Sequence, residues 1–352
     1  MAQEDSSRFM RIGEFELSEP VPEMKNTIAI GMLRPWVDVG RVGTLSLRKL
    51  QQHLGAREMG RLARPGKFFD FTRYRPRMRV INGKRVFTKP NTIVHHAHDE
   101  YNDRDFLFIH VREPHNFGED YTEAIVELLK HCNVTEYCRV GGMYDSVPHT
   151  RPILVTGSMK SEQEDKASGS LNPRRSTYQG PTSIVNQVNE DLSALDITNT
   201  TLMAHLPQYV QLDEDHLGAA RLLEVLCSVY GFPMELADKA QGDQQYKDID
   251  NAIDYDSEVG TLIKQLETYY DRVLSRPTEN PKGDSVPESG QESALSDASE
   301  NGDISLPRDV EDFLNQMGER FENSSEGGDE PPEDVADVDE DSEHEPGATE
   351  DK

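Results

Sequence analysis

The sequence is short of cysteine and of long apolar runs, and each shortage narrows the kind of protein it encodes. Three cysteines in 352 residues, with no Cys-x-x-Cys, exclude a disulfide framework and a cysteine-rich zinc site, which agrees with a reducing compartment. Apolar runs such as residues 106–110 are far shorter than the roughly 18 residues of a membrane-spanning helix. The amino terminus lacks the basic start and apolar core of a signal peptide. We therefore expect a cytoplasmic protein without a membrane segment.

Basic residues are also scarce, and the imbalance is local. The chain has 37 Lys and Arg against 65 Asp and Glu, a formal net charge of -28, which argues against a basic nucleic-acid-binding protein. Residues 281–352 hold 24 of the acidic residues and four of the basic ones, and their Ser, Gly and Pro content predicts disorder. Within this segment, residues 306–321 carry apolar side chains at helical spacing and predict an amphipathic helix that docks on the chain's own domain or on a partner.

The rest of the chain alternates short apolar strands with helical segments. This pattern predicts one three-layer α/β/α domain around a mostly parallel mixed sheet, with a helical carboxyl-terminal portion. An Asn-Gly pair at 82–83 between two alternating runs predicts a protruding β-hairpin arm. Strands are expected at 27–33, 106–111, 137–143 and 201–206, helices at 40–54, 121–131, 183–192, 217–229, 233–240 and 253–273, and an exposed loop at 158–176. The predicted organisation is a domain at 8–275, a disordered linker at 276–305, a helix at 306–321 and a disordered acidic tail at 322–352.

Polar clusters follow the predicted strands, at the edge where open α/β sheets bind ligands. The first cluster, at residues 34–40, contains Trp36, Asp38 and Gly40. Asp38 and the amides near Gly40 form either an anion or sugar site or a cap for the following helix, and in the second interpretation Trp36 packs over the sheet edge.

The second cluster, at residues 69–76, is rich in aromatic and guanidinium groups and includes Asp70, Tyr74 and Arg75. Arginines recur at 73, 75, 77 and 79, so on an extended segment they would share one face. Such a face either grips a carboxylate, a phosphate or an acidic partner surface, or protects a solvated edge strand from aggregation.

The third cluster, at residues 145–152, contains Asp145, Pro148, His149 and Arg151. Two interpretations stay open: an acid or base with an anion clamp, or a rigid turn in which His149 only satisfies backbone groups. His205, after a later strand, is a further acid or base candidate, as is Asp38.

A fourth cluster leads into the helix predicted at 183–192. Gly180 and Pro181 precede it, and Thr182 either caps the helix or binds an anion there. The members of this cluster are Tyr178, Gly180, Pro181 and Thr182.

The sequence does not predict a metal site or a cofactor. His95, His96 and His98 suggest metal ligands, but on a strand His95 points away from the other two. No P-loop, dinucleotide fingerprint or nucleophile elbow occurs.

Together, the segments at 31–40, 69–76, 147–152, 178–182 and 205–209 resemble, in order and spacing, the prokaryotic proteasome assembly chaperone two family. The resemblance spans about residues 10–275. It implies a phosphorylase/hydrolase-like three-layer fold, a homo-oligomer, and relatives that chaperone proteasome assembly by holding other proteins. Archaeal relatives tend to end with a hydrophobic residue, a tyrosine and one more residue, whereas this chain ends Ala-Thr-Glu-Asp-Lys, so tail-mediated docking on a proteasome is not expected.

Two functions follow from the sequence. The first is a non-enzymatic assembly chaperone or interaction protein that contacts a protein partner, proteasome-related or other, through the arginine-rich strand and the hairpin arm. The second is a small-molecule binder or enzyme that uses His149 or His205 with Arg75 or Arg151 holding an anion.

Overall fold

The computed structural model describes residues 8–81, 83–167 and 183–274. One nine-stranded sheet forms the centre of these residues, and a separate two-stranded sheet projects from it. The large sheet contains β1 (Phe9–Ile12), β2 (Phe15–Ser18), β3 (Thr27–Arg34), β4 (Arg57–Leu62), β7 (Ile93–Asp99), β8 (Arg104–Arg112), β9 (Val134–Asp145), β10 (Leu154–Ser158) and β11 (Thr198–Pro207). The small sheet contains β5 (Arg77–Ile81) and β6 (Lys84–Thr88). The helices are α1 (Val42–Leu54), α2 (Gly118–His131), α3 (Ser161–Lys166), α4 (Ile184–Ser193), α5 (His216–Tyr230), α6 (Ala240–Ala252) and α7 (Glu258–Tyr269).

The large sheet has the order β1-β2-β4-β7-β8-β3-β9-β11-β10. Its four central strands, β8, β3, β9 and β11, are parallel. The flanking strands pair antiparallel, so the expectation of a mostly parallel sheet is wrong for the sheet as a whole. Short turns explain two of these pairs, β1–β2 and β7–β8, because strands joined by a tight turn can pair only antiparallel.

Helices cover both faces of the sheet, which confirms the three-layer α/β/α architecture. On β3, Ile30 and Met32 pack into the core beneath α1 and α5, whereas Ala29 and Leu33 pack into the core beneath α2 and α4. A strand buried on both faces reads as a continuous apolar run, which is why β3 was predictable.

The central helices and strands lie close to their predicted positions. Helix α1 ends where Gly55, with φ 62°, stops it, as the sequence predicted. Within the loop predicted at 158–176, residues 161–166 form the short helix α3, and residues 168–176 lie outside the described residues. The helix predicted at 233–240 is a 3₁₀ turn at Met234–Ala237, followed by α6.

The hairpin arm is confirmed. Strands β5 and β6 pair antiparallel with each other only, among the described residues, and Gly83 adopts φ 74° at the turn. Asn82 lies outside the described residues. The predicted linker, amphipathic helix and acidic tail also lie outside them. In the described ranges no helix combines the length and apolar content needed to cross a membrane.

Candidate functional site

The carboxyl ends of the four parallel strands lie at one edge of the sheet, and the loops that leave this edge carry six of the ten predicted site residues that the structure describes. The edge has two parts. Beside β3 and β8 there is an open cleft, and beside β9 and β11 the side chains pack against each other. The fourth cluster, Tyr178, Gly180, Pro181 and Thr182, lies outside the described residues.

The cleft has a volume of about 490 Å³. Its walls come from the loops that follow β3 and β8 and from the turn at residues 69–76. Trp36 is 67% exposed at this cleft, so the expectation that it packs over the sheet edge is wrong. The lining residues are Pro35, Trp36, Asp70, Arg73, Tyr74, Glu113, Pro114, His115 and Asn116.

The turn at residues 69–76 is held firmly against the loop after β8. The amide of Asp70 donates to Nδ1 of His115 at 3.1 Å, and the ring of Tyr74 lies 4.5 Å from that of His115, measured between centroids. Tyr74 Oη donates to the carbonyl of Glu113 at 3.2 Å. The amide and hydroxyl of Thr72 donate to the Asp70 carboxylate, which lowers the pKa of Asp70. This wall of the cleft is therefore built before any ligand binds.

The arginines at 73, 75, 77 and 79 do not share one extended face. Arg73 lies in the turn, where its amide donates to the carbonyl of Asp70, and Arg75 follows it. Only Arg77 and Arg79 lie on β5, where alternate residues share a face. The recurrence of arginine at every second position is the same for a turn followed by a strand as for one continuous strand, so the sequence did not distinguish them.

Asp38 caps helix α1. Its carboxylate accepts hydrogen bonds from the amides of Gly43 and Thr44 at 2.8 and 3.1 Å, and from the hydroxyl of Thr44 at 2.5 Å. Burial outweighs these bonds and raises the pKa of Asp38 to about 6. This geometry agrees with the capping interpretation and buries Asp38, which is 7% exposed.

Gly40 fixes the path of the loop after β3. Its φ is 56°, and a Cβ at this position would lie 2.7 Å from Cβ of Asp215, so both backbone conformation and space require glycine. Its carbonyl accepts from the amide of Asp215 at 2.8 Å, which ties the loop to the start of α5.

Three polar cleft residues, Glu113, His115 and Asn116, were not singled out from the sequence. Glu113 Oε1 accepts from the amide of Ile184 at 3.1 Å, while its buried Oε2 has no hydrogen-bond partner among the residues that the structure describes. Burial raises the pKa of Glu113. The signal that identified the other clusters, polar residues directly after a buried strand, also applies to these residues after β8.

His149 lies in the packed part of the edge. Its amide donates to Tyr209 Oη at 2.7 Å, and its Nδ1 lies 2.8 Å from the same oxygen. Nε2 lies 3.4 Å from Oδ1 of Asp250 on α6, and the side chain is 1% exposed. Burial lowers the pKa of His149. These contacts make His149 a buried link between the loop after β9, the end of β11 and α6.

Arg151 binds carboxylates of its own chain. Its Nε and Nη2 donate to Asp271 at 2.9 and 2.8 Å, and its Nη1 donates to Glu267 at 3.0 Å. The amide of Arg151 also donates to the carbonyl of Pro148 at 3.4 Å, which closes the turn. The guanidinium therefore anchors the end of α7, and an added anion would have to displace two carboxylates.

His205 forms a chain of polar side chains with Asp145 and Thr156. Its Nδ1 lies 2.8 Å from Oδ2 of Asp145, and its Nε2 lies 2.7 Å from Oγ1 of Thr156. A carboxylate, an imidazole and a hydroxyl in this order can transfer a proton from the hydroxyl to the imidazole. The same bonds also connect the edge strand β10 to β11 and β9.

The histidine-rich segment on β7 does not form a metal centre. His96 and His98 share a face, as expected, and both lie within hydrogen-bonding distance of Oδ1 of Asp105, at 2.8 and 3.1 Å. His95 points to the other face, where its ring lies 5.5 Å from that of His110. In the part of the chain that the structure describes, no three His, Cys, Asp or Glu side chains are placed to hold a metal ion.

The fold and the site define a three-layer α/β protein with an open cleft at the carboxyl edge of its parallel strands and a projecting hairpin arm. The sequence model of the PAC2 family matches residues 32–247. The chain belongs to the PAC2 family. The family expected from the sequence motifs is thereby confirmed.

Solved structures with the same fold come from bacteria and archaea. A Corynebacterium glutamicum protein of unknown function is 20% identical with a TM-score of 0.65, over 74% of this chain and 98% of the other. A proteasome-assembly chaperone homologue of Mycobacterium tuberculosis is 21% identical with a TM-score of 0.59, over 67% and 99% of the chains. A proteasome activator of Pyrococcus furiosus is 14% identical with a TM-score of 0.53, over 69% and 97%. At these identities the likeness shows the fold alone. The search of curated proteins gives no match.

Proposed function

We propose that this protein acts by binding another protein, in the manner of an assembly chaperone, and does not turn over a substrate. The observation that carries the proposal is the hairpin arm, which holds five of the thirteen exposed large hydrophobic side chains found among the described residues. Three of these side chains, Met78, Val80 and Phe87, share one face of the arm, and an exposed apolar face is typical of a protein-interaction site.

The cleft extends this binding surface towards the sheet. Exposed Trp36 and the pre-formed wall around Tyr74 supply aromatic groups of the kind that dominate binding energy at protein interfaces. The turn at residues 69–76, which forms one wall of the cleft, leads directly into β5 of the arm, so this wall and the arm belong to one chain segment.

The printed names of two relatives, a proteasome-assembly chaperone homologue and a proteasome activator, support a partner that is related to the proteasome. We expect the protein to form a homo-oligomer. The three cysteines are free thiols, which supports a reducing, cytoplasmic location.

The test is affinity capture from native lysate with full-length bait. Trp36→Ala and the double variant Val80→Thr/Phe87→Thr each remove apolar surface while retaining the backbone, since threonine favours strands. Either variant should reduce recovery of a stoichiometric protein partner at least tenfold. Emission from Trp36, the only tryptophan, should shift to shorter wavelength when the purified partner is added.

Tyr101→Thr serves as a matched control, because Tyr101 is 92% exposed in the turn between β7 and β8 and should leave capture unchanged. Wild-type bait that returns only itself, or equal recovery with all variants, would contradict the proposal. Light scattering of the purified chain measures the oligomeric state separately.

A small-molecule hydrolase is the second candidate, and the Asp145–His205–Thr156 chain is the observation that favours it. In this function Thr156 Oγ1 attacks an ester carbonyl while its proton passes to His205 Nε2, the alcohol leaves with that proton, and water then releases the acyl group. Turnover of p-nitrophenyl acetate that disappears in Thr156→Val and His205→Gln would support it, whereas equal rates in all three proteins would exclude it.

A further inference from the structure

The arm differs in charge from the rest of the chain. Residues 71–92 contain seven Lys and Arg and no Asp or Glu, in a protein with a net charge of -28. Lys84, Arg85 and Lys89 are exposed on β6 and just after it. A segment of such density attracts an acidic sequence over roughly a Debye length, about 8–10 Å at physiological salt.

One face of the arm is also apolar. The register pairs Met78 with Phe87 and Val80 with Arg85, so Met78, Val80 and Phe87 lie on the same face. They are 50%, 66% and 67% exposed. An apolar stripe bordered by cations fits an amphipathic segment that carries apolar groups on one side and carboxylates around them.

We infer that the carboxyl-terminal segment at residues 306–321 of the same chain occupies this face. The segment places Val310, Phe313, Leu314 and Met317 at helical spacing, with Asp309, Glu311, Asp312 and Glu319 between and beside them. The residues that follow, 322–352, add fourteen acidic residues and one basic residue. The sequence thus supplies both the apolar and the acidic complement of the arm.

The length of the connection permits this contact within one molecule. Residues 275–305 separate the end of the described domain from the segment. A flexible chain of that length spans about 30 Å on average and about 100 Å when extended. A domain of this size has a radius of gyration of about 18 Å. Tethering at such a distance gives an effective concentration in the millimolar range, which favours the chain's own segment over that of a second copy.

The inference deepens the proposed function and rests on it in one respect: if the arm binds a partner protein, that partner must displace the chain's own segment. The segment would then regulate the arm, keeping its apolar face covered in the isolated protein and releasing it to a partner that binds more tightly. The segment's contact itself is measurable without any partner.

Zero-length carbodiimide cross-linking of the full chain, read by mass spectrometry, tests the contact. The expected products join Lys89, two residues after Phe87, to Asp309, Glu311, Asp312 or Glu319, whereas Lys84 pairs with Ile81 on the opposite face and should link less. Mixing ¹⁵N-labelled and unlabelled protein before the reaction distinguishes the two possible sources, and the products should carry one isotope only. Mixed-isotope products in the majority would overturn the intramolecular contact and assign the face to a second copy.

Two variants of the full chain make the test specific for the apolar contact. Both variants keep every reactive amine and carboxylate, and each should lower the cross-link yield at least fivefold. The first is the triple serine variant Phe313→Ser/Leu314→Ser/Met317→Ser, and the second is Val80→Thr/Phe87→Thr. Tyr101→Thr should leave the yield unchanged. Undiminished yields in the first two variants, or equal linking to Lys130 and Lys247 elsewhere on the surface, would refute the inference.

Partner capture separates this result from the proposed function. The triple serine variant should capture several-fold more partner than the wild type, because its arm is uncovered. Capture that depends on the arm, together with a cross-link yield that does not change in the triple variant, would remove the segment's contact and leave the proposed function standing. Specific cross-links without capture of any partner would remove the proposed function and leave the segment's contact with the arm standing.

Discussion

Replacing Tyr209 with phenylalanine tests whether His149 is a structural link. The tyrosine hydroxyl accepts from the amide of His149 and lies 2.8 Å from its Nδ1. The substitution leaves one buried donor and one buried acceptor without a partner, at a cost of about 1–3 kcal/mol each. The free energy of unfolding should therefore fall by about 2–6 kcal/mol, a large share of the roughly 5–15 kcal/mol of an ordinary domain.

Urea unfolding of the wild type and of Tyr209→Phe, followed by circular dichroism at constant pH, measures this loss. Tyr101→Phe is the control, since Tyr101 is almost fully exposed and its hydroxyl should contribute almost nothing. His149→Phe and the double variant complete a thermodynamic cycle, in which a large coupling energy would locate the loss in the Tyr209–His149 contact. A loss below about 0.5 kcal/mol for Tyr209→Phe would refute the structural interpretation, because a hydroxyl that satisfies two buried groups cannot be removed so cheaply.

Three further substitutions at the carboxyl edge of the sheet have measurable expected effects. Burial raises the pKa of Asp38 to about 6, so the folded state holds that proton more tightly than the unfolded state. The free energy of unfolding should therefore fall by up to about 3 kcal/mol as the pH rises from 4 to 7. Asp38→Asn should remove this pH dependence, as measured by urea unfolding at several pH values. Arg151→Gln should accelerate amide hydrogen exchange in α7 while exchange in α1 stays unchanged, and equal rates in both proteins would show that the guanidinium does not anchor α7. Gly40→Ala should lower the urea midpoint by more than the same change at Gly55, where a Cβ meets no neighbouring atom, although both residues have positive φ.

The central strands were predictable because a strand buried on both faces of the sheet is a continuous apolar run in the sequence. Strand β3 is a continuous apolar run, and α1 ends at a glycine in the left-handed conformation. The outer strands β1, β2 and β4 are short and only partly buried, so their patterns resemble those of loops. Helix α6 was missed because few of its residues are apolar.

The position of the candidate site was predictable, but its internal contacts were not. Polar residues after parallel strands must meet at one edge, and the structure places Trp36, His149 and His205 at that edge. The partners of the packed residues come from distant parts of the chain, as in the bond between Arg151 and Asp271. No local pattern signals such a pair, since each partner alone looks like an ordinary exposed charge.

The carboxyl edge of the sheet has a packed part and an open part, and this arrangement favours binding of a protein partner over catalysis. Beside β9 and β11, the groups best suited to acid–base chemistry or anion binding are engaged by their own chain: His149 by Tyr209 and Arg151 by Glu267 and Asp271. A catalytic group needs an accessible atom for the substrate, and His149 offers none at 1% exposure. Beside β3 and β8 the edge stays open, and what it presents is an exposed indole on a rigid aromatic wall that continues into an apolar, cationic arm. Such a surface has the features by which proteins hold one another, and its most exposed members, Trp36 and the arm, are the residues on which capture of a partner should depend.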